Sequence, residues 1–293
     1  MKRTVRCFAI ALASLLSGAP AQGQNLFVTD SGSGNIYEFT PSGAQTTFAS
    51  GLSNPSALAF NSAGDLFEAD FSGNIYEFTP SGARTTFATG LGGANDLAFD
   101  SAGNLFVACD DTDFEVNSAI YELTPAGAKS TFAFPLRWPD GLAFDSAGNL
   151  FVADSSAGNI YKYTPSGVGS TFASGLGPGG LAFNSAGDLF DADYWSGKIY
   201  EFTPGGMQST FASGLGVGGP NRLAFNSAGD LFESNGGSGN IYEFTPDGGS
   251  STFASGLNNA VGMAFQPVPE PSTWVMVGLG VIALLGVRSR RQW

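Results

Sequence analysis

Between residues 25 and 266 the apolar positions come in short runs of three or four, each bounded by polar turn residues, and the runs recur in one fixed order. The clearest copy is residues 58–91, LAFNSAGDLFEADFSGNIYEFTPSGARTTFATGL. It holds four runs: Leu58-Ala59-Phe60, Leu66-Phe67-Glu68-Ala69, Ile75-Tyr76-Glu77-Phe78 and Thr86-Phe87-Ala88-Thr89. Runs of this length, rich in aromatic and β-branched residues, favour half-buried strands. The joints carry turn chemistry. Asn61-Ser62-Ala63-Gly64-Asp65 lies between the first two runs, and Thr79-Pro80-Ser81-Gly82-Ala83 between the last two. Each places Gly where a positive φ is needed, with Asn, Asp, Ser or Thr nearby to bond the backbone. Nowhere in this stretch do apolar residues recur at helical spacing.

A Thr-Pro pair marks each copy, at Thr40, Thr79, Thr124, Thr164, Thr203 and Thr245, so the steps are 39, 45, 40, 39 and 42 residues. Four strands repeated at this period predict an all-β, six-bladed β-propeller over residues 25–266. The two ends of the array complement each other. The first unit opens directly on its second strand, Leu26-Phe27-Val28, and a lone first strand, Gly262-Met263-Ala264-Phe265, follows the last unit. Pairing the two in one blade closes the ring and removes both sheet edges. An open β-solenoid, the rival reading, needs no such complementary ends. The first-strand aromatics are then Phe60, Phe99, Phe144, Phe183, Phe225 and Phe265.

In an antiparallel blade the joints 1–2 and 3–4 share one face of the disc, while the 2–3 loops and the links between blades share the other. The first set is nearly uniform in this chain, and the variation falls on the second. It includes the expanded loop 110–118, the link Pro135-Leu136-Arg137-Trp138-Pro139-Asp140, the pair Tyr194-Trp195, and the links Pro178-Gly179-Gly180 and Pro220-Asn221-Arg222. Loops on a rigid scaffold are the usual place for recognition. Phe114, Arg137, Trp138, Tyr194, Trp195 and Arg222 are therefore the candidate ligand-face residues.

Composition narrows the partners. Residues 22–267 hold six basic residues (Arg84, Lys129, Arg137, Lys162, Lys198 and Arg222) against 24 acids, a net charge of about −18. Such a body repels nucleic acid and anionic lipid. The chain has no histidine, which excludes Ser-His-Asp and Cys-His nucleophile systems and His-ligated zinc. There is no Walker-type phosphate loop and no EF-hand spacing.

The termini read as targeting segments. Lys2, Arg3 and Arg6 precede the apolar run 7–16 and then Ala19-Pro20-Ala21, the pattern of a secretory signal peptide over residues 1–21. Removal of that segment would take Cys7 with it and leave Cys109 without an intrachain disulfide partner. At the other end Pro269-Glu270-Pro271 is followed by the uncharged apolar stretch 274–287 and then Arg288, Arg290 and Arg291. The stretch is shorter than the roughly 20 residues that span a bilayer comfortably. In order and kind, these three parts resemble the PEP-CTERM sorting signal of Gram-negative bacteria, over residues 267–293. The resemblance implies an apolar C-terminal helix, transiently inserted in the inner membrane, and an exosortase-type processing enzyme as partner. It also implies delivery to the cell surface or extracellular polymer matrix. A permanent single-span anchor is the alternative.

The segment 138–154, WPDGLAFDSAGNLFVAD, resembles NHL-repeat proteins and the gluconolactonase/senescence-marker-protein family, both six-bladed propellers. The second resemblance implies that the Asp of a Pro-Asp-Gly at a strand mouth is a metal ligand and acid–base group, a position that Asp140 matches. Asn95 and Asn221 match the Asn positions lining that site. The implied cofactor is Ca2+ or another divalent cation. The family's Glu-Gly-Pro ligand motif has no counterpart near residues 25–29, and Ser56, Gly179 and Val261 stand at the same mouth position in the remaining blades. Three blades also place an acid in the middle of strand two, Glu68, Asp191 and Glu233, where the others have Val28, Val107 and Val152. Burying an unpaired carboxylate is costly, so these acids are expected to reach water or a cation. The leading expectation is an exported binding or structural module in which Trp138, Trp195 and Phe114 stack on extracellular polysaccharide. The alternative is a divalent-metal lactonase with Asp140 as acid–base.

Overall fold

The computed structural model describes residues 23–110, 118–216 and 218–268. The proposed signal peptide, the tail from Pro269 onward and Phe114 in the expanded loop all lie outside the described residues. Twenty-four strands form six four-stranded antiparallel sheets, and no helix occurs among the described residues.

The ring closes as the complementary ends require. Strand β1 (Leu26–Asp30) lies between β2 (Asn35–Phe39) and the last strand, β24 (Ala260–Phe265), so one blade is built from both ends of the chain. Leu26 faces Phe265, Phe27 faces Ala264 and Val28 faces Met263 across that seam. Gln266 donates its N–H to the Asn25 carbonyl at 2.9 Å, which extends the seam beyond the strands. The other blades are each one continuous stretch of chain, as in β4 (Pro55–Phe60), β5 (Leu66–Asp70), β6 (Ile75–Phe78) and β7 (Arg84–Ala88).

The turns form as their residues dictate. Asn61 Oδ1 accepts the N–H groups of Ala63 and Asp65, and Thr79 Oγ1 accepts that of Ala83. Gly64 and Gly82 take φ values of 88° and 83°, the left-handed region open to glycine.

Between blades the core is a repeated aromatic contact. Phe67 of strand two meets Phe87 of its own blade and Phe99 of the next blade's first strand, edge to face, at 5.1 and 5.0 Å. Equivalent contacts recur at every interface, including Phe232 against Phe265 across the closing seam at 4.9 Å. Such pairs contribute about 0.5–1.5 kcal/mol each beyond their area burial. Cys109 is buried in this core and free, so packing rather than a disulfide holds the described fold.

One expectation needs correction. The segments beginning at Pro139, Pro178 and Pro220 are not links but the opening residues of strand one, in Pro139–Phe144, Pro178–Phe183 and Pro220–Phe225. The register slips in each, between Pro139 and Gly141, between Pro178 and Leu181, and between Pro220 and Arg222. A bulge there lets strand one pair beyond its apolar run and turns the extra residue toward the channel mouth.

Candidate functional site

Those bulges, the 2–3 loops and the links meet at one end of the central channel around a cavity of about 450 Å³. Its floor is set by the strand-one mouths Ser56, Asn95, Asp140, Asn221 and Val261, with Arg222 beside them. Its wall is made by Phe71, Trp138, Ser155, Ser156, Tyr194, Trp195 and Asn259. The uniform turns of the opposite face contribute nothing to it. Tyr194, Trp195 and Phe71 are 48 %, 69 % and 46 % exposed, so aromatic surface stands open to solvent around a polar floor.

The loops that carry this wall are pinned by the acid or amide ending each second strand. Asp154 Oδ2 accepts the Arg137 N–H and its Oδ1 the Trp138 N–H. Asp193 takes the N–H groups of Gly177 and Ser196, fixing both ends of the segment that bears Tyr194 and Trp195. Arg137 is tied to this scaffold through its backbone, and its exposed side chain does not line the cavity.

Arg222 organises the floor. It is only 6 % exposed. One Nη2 proton goes to Asp140 Oδ1 at 2.9 Å and another to the Asn95 carbonyl at 2.8 Å. Nη1 donates to Asn221 Oδ1 at 2.9 Å and to the Asn221 carbonyl at 3.3 Å. Nε stands 3.9 Å from Asp96 Oδ1. Asp96 is itself held by the Leu142 N–H on Oδ2, while Asn95 Nδ2 donates to the Pro139 carbonyl. Burial alone would lower the guanidinium pKa, but the carboxylates of Asp140 and Asp96 outweigh it and raise it. Burial pushes Asp96 up to about 6, against the opposing pull of Arg222 and its backbone donors.

The structure thus brings Asn95, Asp140 and Asn221 together, but around a guanidinium. Asp140 Oδ1, Asn221 Oδ1 and the Asn95 carbonyl each already accept an Arg222 proton. Among the described residues no group of three or more Cys, Asp or Glu is arranged to hold a metal ion. A divalent cation needs several free oxygens at short range and would here sit against a buried positive charge. The residues present do not fit it.

Glu68, Asp191 and Glu233 are fully buried, contrary to the expectation that they reach water, and neither carboxylate oxygen of Glu68 has a hydrogen-bond partner. Burial pushes Glu68 and Glu233 up to about 8, and Asp191 well above the usual carboxylate range. Strand alternation turns each toward the preceding blade. There, at the residue before the strand-one Leu/Met-Ala-Phe, stand Gly262, Gly141 and Gly180, whereas Val107, Val152 and Val28 follow Ala57, Asp96 and Arg222. A Cβ on any of these three glycines would meet first-strand backbone of the next blade, at Ala57, Gly179 and Asn221 respectively, so the close approach of neighbouring first strands calls for glycine there.

Sequence reasoning missed Phe71, Ser155, Ser156 and Asn259 in the wall. No residue type distinguishes them from ordinary loop positions. It also missed Asp96, although Asp96 and Arg222 hold the same repeat position in blades three and six, where the other four blades have Ala57, Gly141, Gly180 and Gly262.

Comparison with known proteins agrees with this architecture. A propeller in the crystal structure of a nidogen/laminin complex superposes with a TM-score of 0.73 at 19 % identity, over 84 % of this chain and 99 % of that one. A gluconolactonase from Xanthomonas campestris gives 0.64 at 17 %, over 72 % and 79 %. A streptogramin B lyase gives 0.64 at 16 %, over 83 % and 86 %. At these identities the likeness is one of fold. No match is found among curated protein sequences. Residues 267–291 match the PEP-CTERM protein-sorting motif, which marks the chain for an exosortase-type system and surface association. Residues 19–212, more than half the chain, match the model of the SMP-30/gluconolactonase/LRE-like region, and the protein belongs to that family.

Proposed function

We propose that the protein is a surface-sorted binding module whose channel-mouth cavity takes a neutral, polyhydroxylated ligand, a saccharide unit of the extracellular polymer. The observation that carries this reading is the pairing of exposed aromatic faces with a floor whose only lining cation among the described residues, Arg222, is already hydrogen-bonded to protein. Trp195, Tyr194 and Phe71 offer flat apolar surface to a sugar ring. Asp140, whose side chain is 26 % exposed, keeps accepting capacity for hydroxyl groups beside its bond to Arg222. The cavity volume lies in the range of about 300–1,000 Å³ typical of small-ligand sites.

Family membership keeps a second reading in view, a lactonase-type hydrolase with Asp140 as the proton-handling group. The test is a retention assay of the purified protein on extracellular polysaccharide fractions, run beside a lactone panel with and without Ca2+. Retention that Trp195→Ala lowers at least tenfold, with no lactone turnover, supports the binder. Turnover lost on adding EDTA and in Asp140→Ala would replace it with the hydrolase.

A further inference from the structure

We propose that the Arg222 guanidinium is this chain's built-in substitute for the divalent cation of its family's site, and that the channel works without metal. Blades three and six face each other across a six-membered ring. Arg222 starts from blade six and crosses the channel to the Asn95 carbonyl and Asp96 of blade three and to Asp140 of blade four. Its planar fork is shaped for such a crossing, since four of its five N–H groups are used, on acceptors from three blades. A cation fixed to the backbone needs no loading, and it leaves the carboxylates paired at all times. Asp96, at the same repeat position in the facing blade, supplies a carboxylate where a partner for the arginine is required. The two residues read as one device, a charged tie that locks opposed blades beneath the ligand cavity.

Thermal unfolding of the purified full-length protein tests this, in EDTA and then in millimolar Ca2+ or Mn2+. The wild type is expected to melt at the same temperature in all three. Arg222→Gln should lower Tm by on the order of 10 °C, because Asp140 and Asp96 lose their counter-charge. Added Ca2+ should recover part of that loss in a concentration-dependent way. Arg222→Lys keeps the charge without the fork and should melt between the two, indifferent to metal. If Arg222→Gln does not fold, the wild-type and lysine measurements still decide. A Ca2+-dependent rise in the wild-type Tm that Asp140→Asn abolishes would overturn the proposal. So would an Arg222→Gln protein that melts in EDTA at the wild-type temperature, or a lysine variant that becomes Ca2+-dependent. Because the readout is melting rather than polysaccharide retention, this inference and the saccharide reading can fail separately.

Discussion

Replacing Glu68 by Gln should change the pH dependence of stability far more than its value in mild acid. Glu68 is fully buried in strand two, and neither carboxylate oxygen has a hydrogen-bond partner. Burial, with a smaller push from Asp70 and an opposing pull from Arg84, moves it from 4.5 to about 8. A carboxyl group raised in this way holds its proton in the folded state after the unfolded chain has released it. Its contribution is therefore fully present below about pH 4.5, is lost as pH rises through the window to about 8, and is constant beyond. At about 1.4 kcal/mol per unit, the window is worth about 5 kcal/mol. Gln removes the titration and keeps the shape. Its buried amide carries a pH-independent cost, so the informative quantity is the difference between two pH values rather than either alone. Urea denaturation of both proteins at pH 5 and pH 9 gives that difference. About 4 kcal/mol of that window lies between pH 5 and pH 9, so with a slope of about 3 kcal/mol/M for a domain of this size the Gln variant should gain on wild type by about 1.3 M in midpoint. Parallel profiles over that range would refute the reasoning, because they would mean that Glu68 ionises in the folded state at its ordinary pKa.

Further tests address the core and the turns. Cys109 is buried and its thiol is pushed up to about 12, chiefly by burial, so iodoacetamide should label it only on global unfolding, at a rate that denaturant controls. Gly73 and Gly82 both have positive φ, but a Cβ on Gly73 would lie 2.1 Å from the Gly92 carbonyl oxygen, whereas one on Gly82 meets nothing within 4 Å. Gly82→Ala should therefore cost about 1–2 kcal/mol from backbone conformation alone, and Gly73→Ala clearly more, as calorimetric melting of the two variants will show.

The cavity wall shows where reading the chain alone stops. Tyr194 and Trp195 were legible because aromatic residues in a turn-rich loop stand out, and the loop's place in the repeat assigned its face. Phe71, one residue past the second strand of its blade, carried no such mark, and only the folded ring turns it toward the same opening. Asn95, Asp140 and Asn221 were legible as a set through the family resemblance, each matching it at a strand mouth. Their common partner was not, because Arg222 reads as one more variable residue until the ring places it 2.9 Å from Asp140, 82 positions earlier in the chain.

The buried acids make the same distinction. Their presence in three blades is visible in the repeat, but their full burial is not, because it depends on how neighbouring blades pack over each second strand. Local patterning determined what is local or periodic: strand length, turn chemistry, blade number and the complementary ends that close the circle. Those properties follow from each residue's relation to its near neighbours and to the period. The tertiary structure alone decided which charges meet in the channel, since a guanidinium reaching across a ring pairs with residues by distance through space, which the order of the chain does not encode.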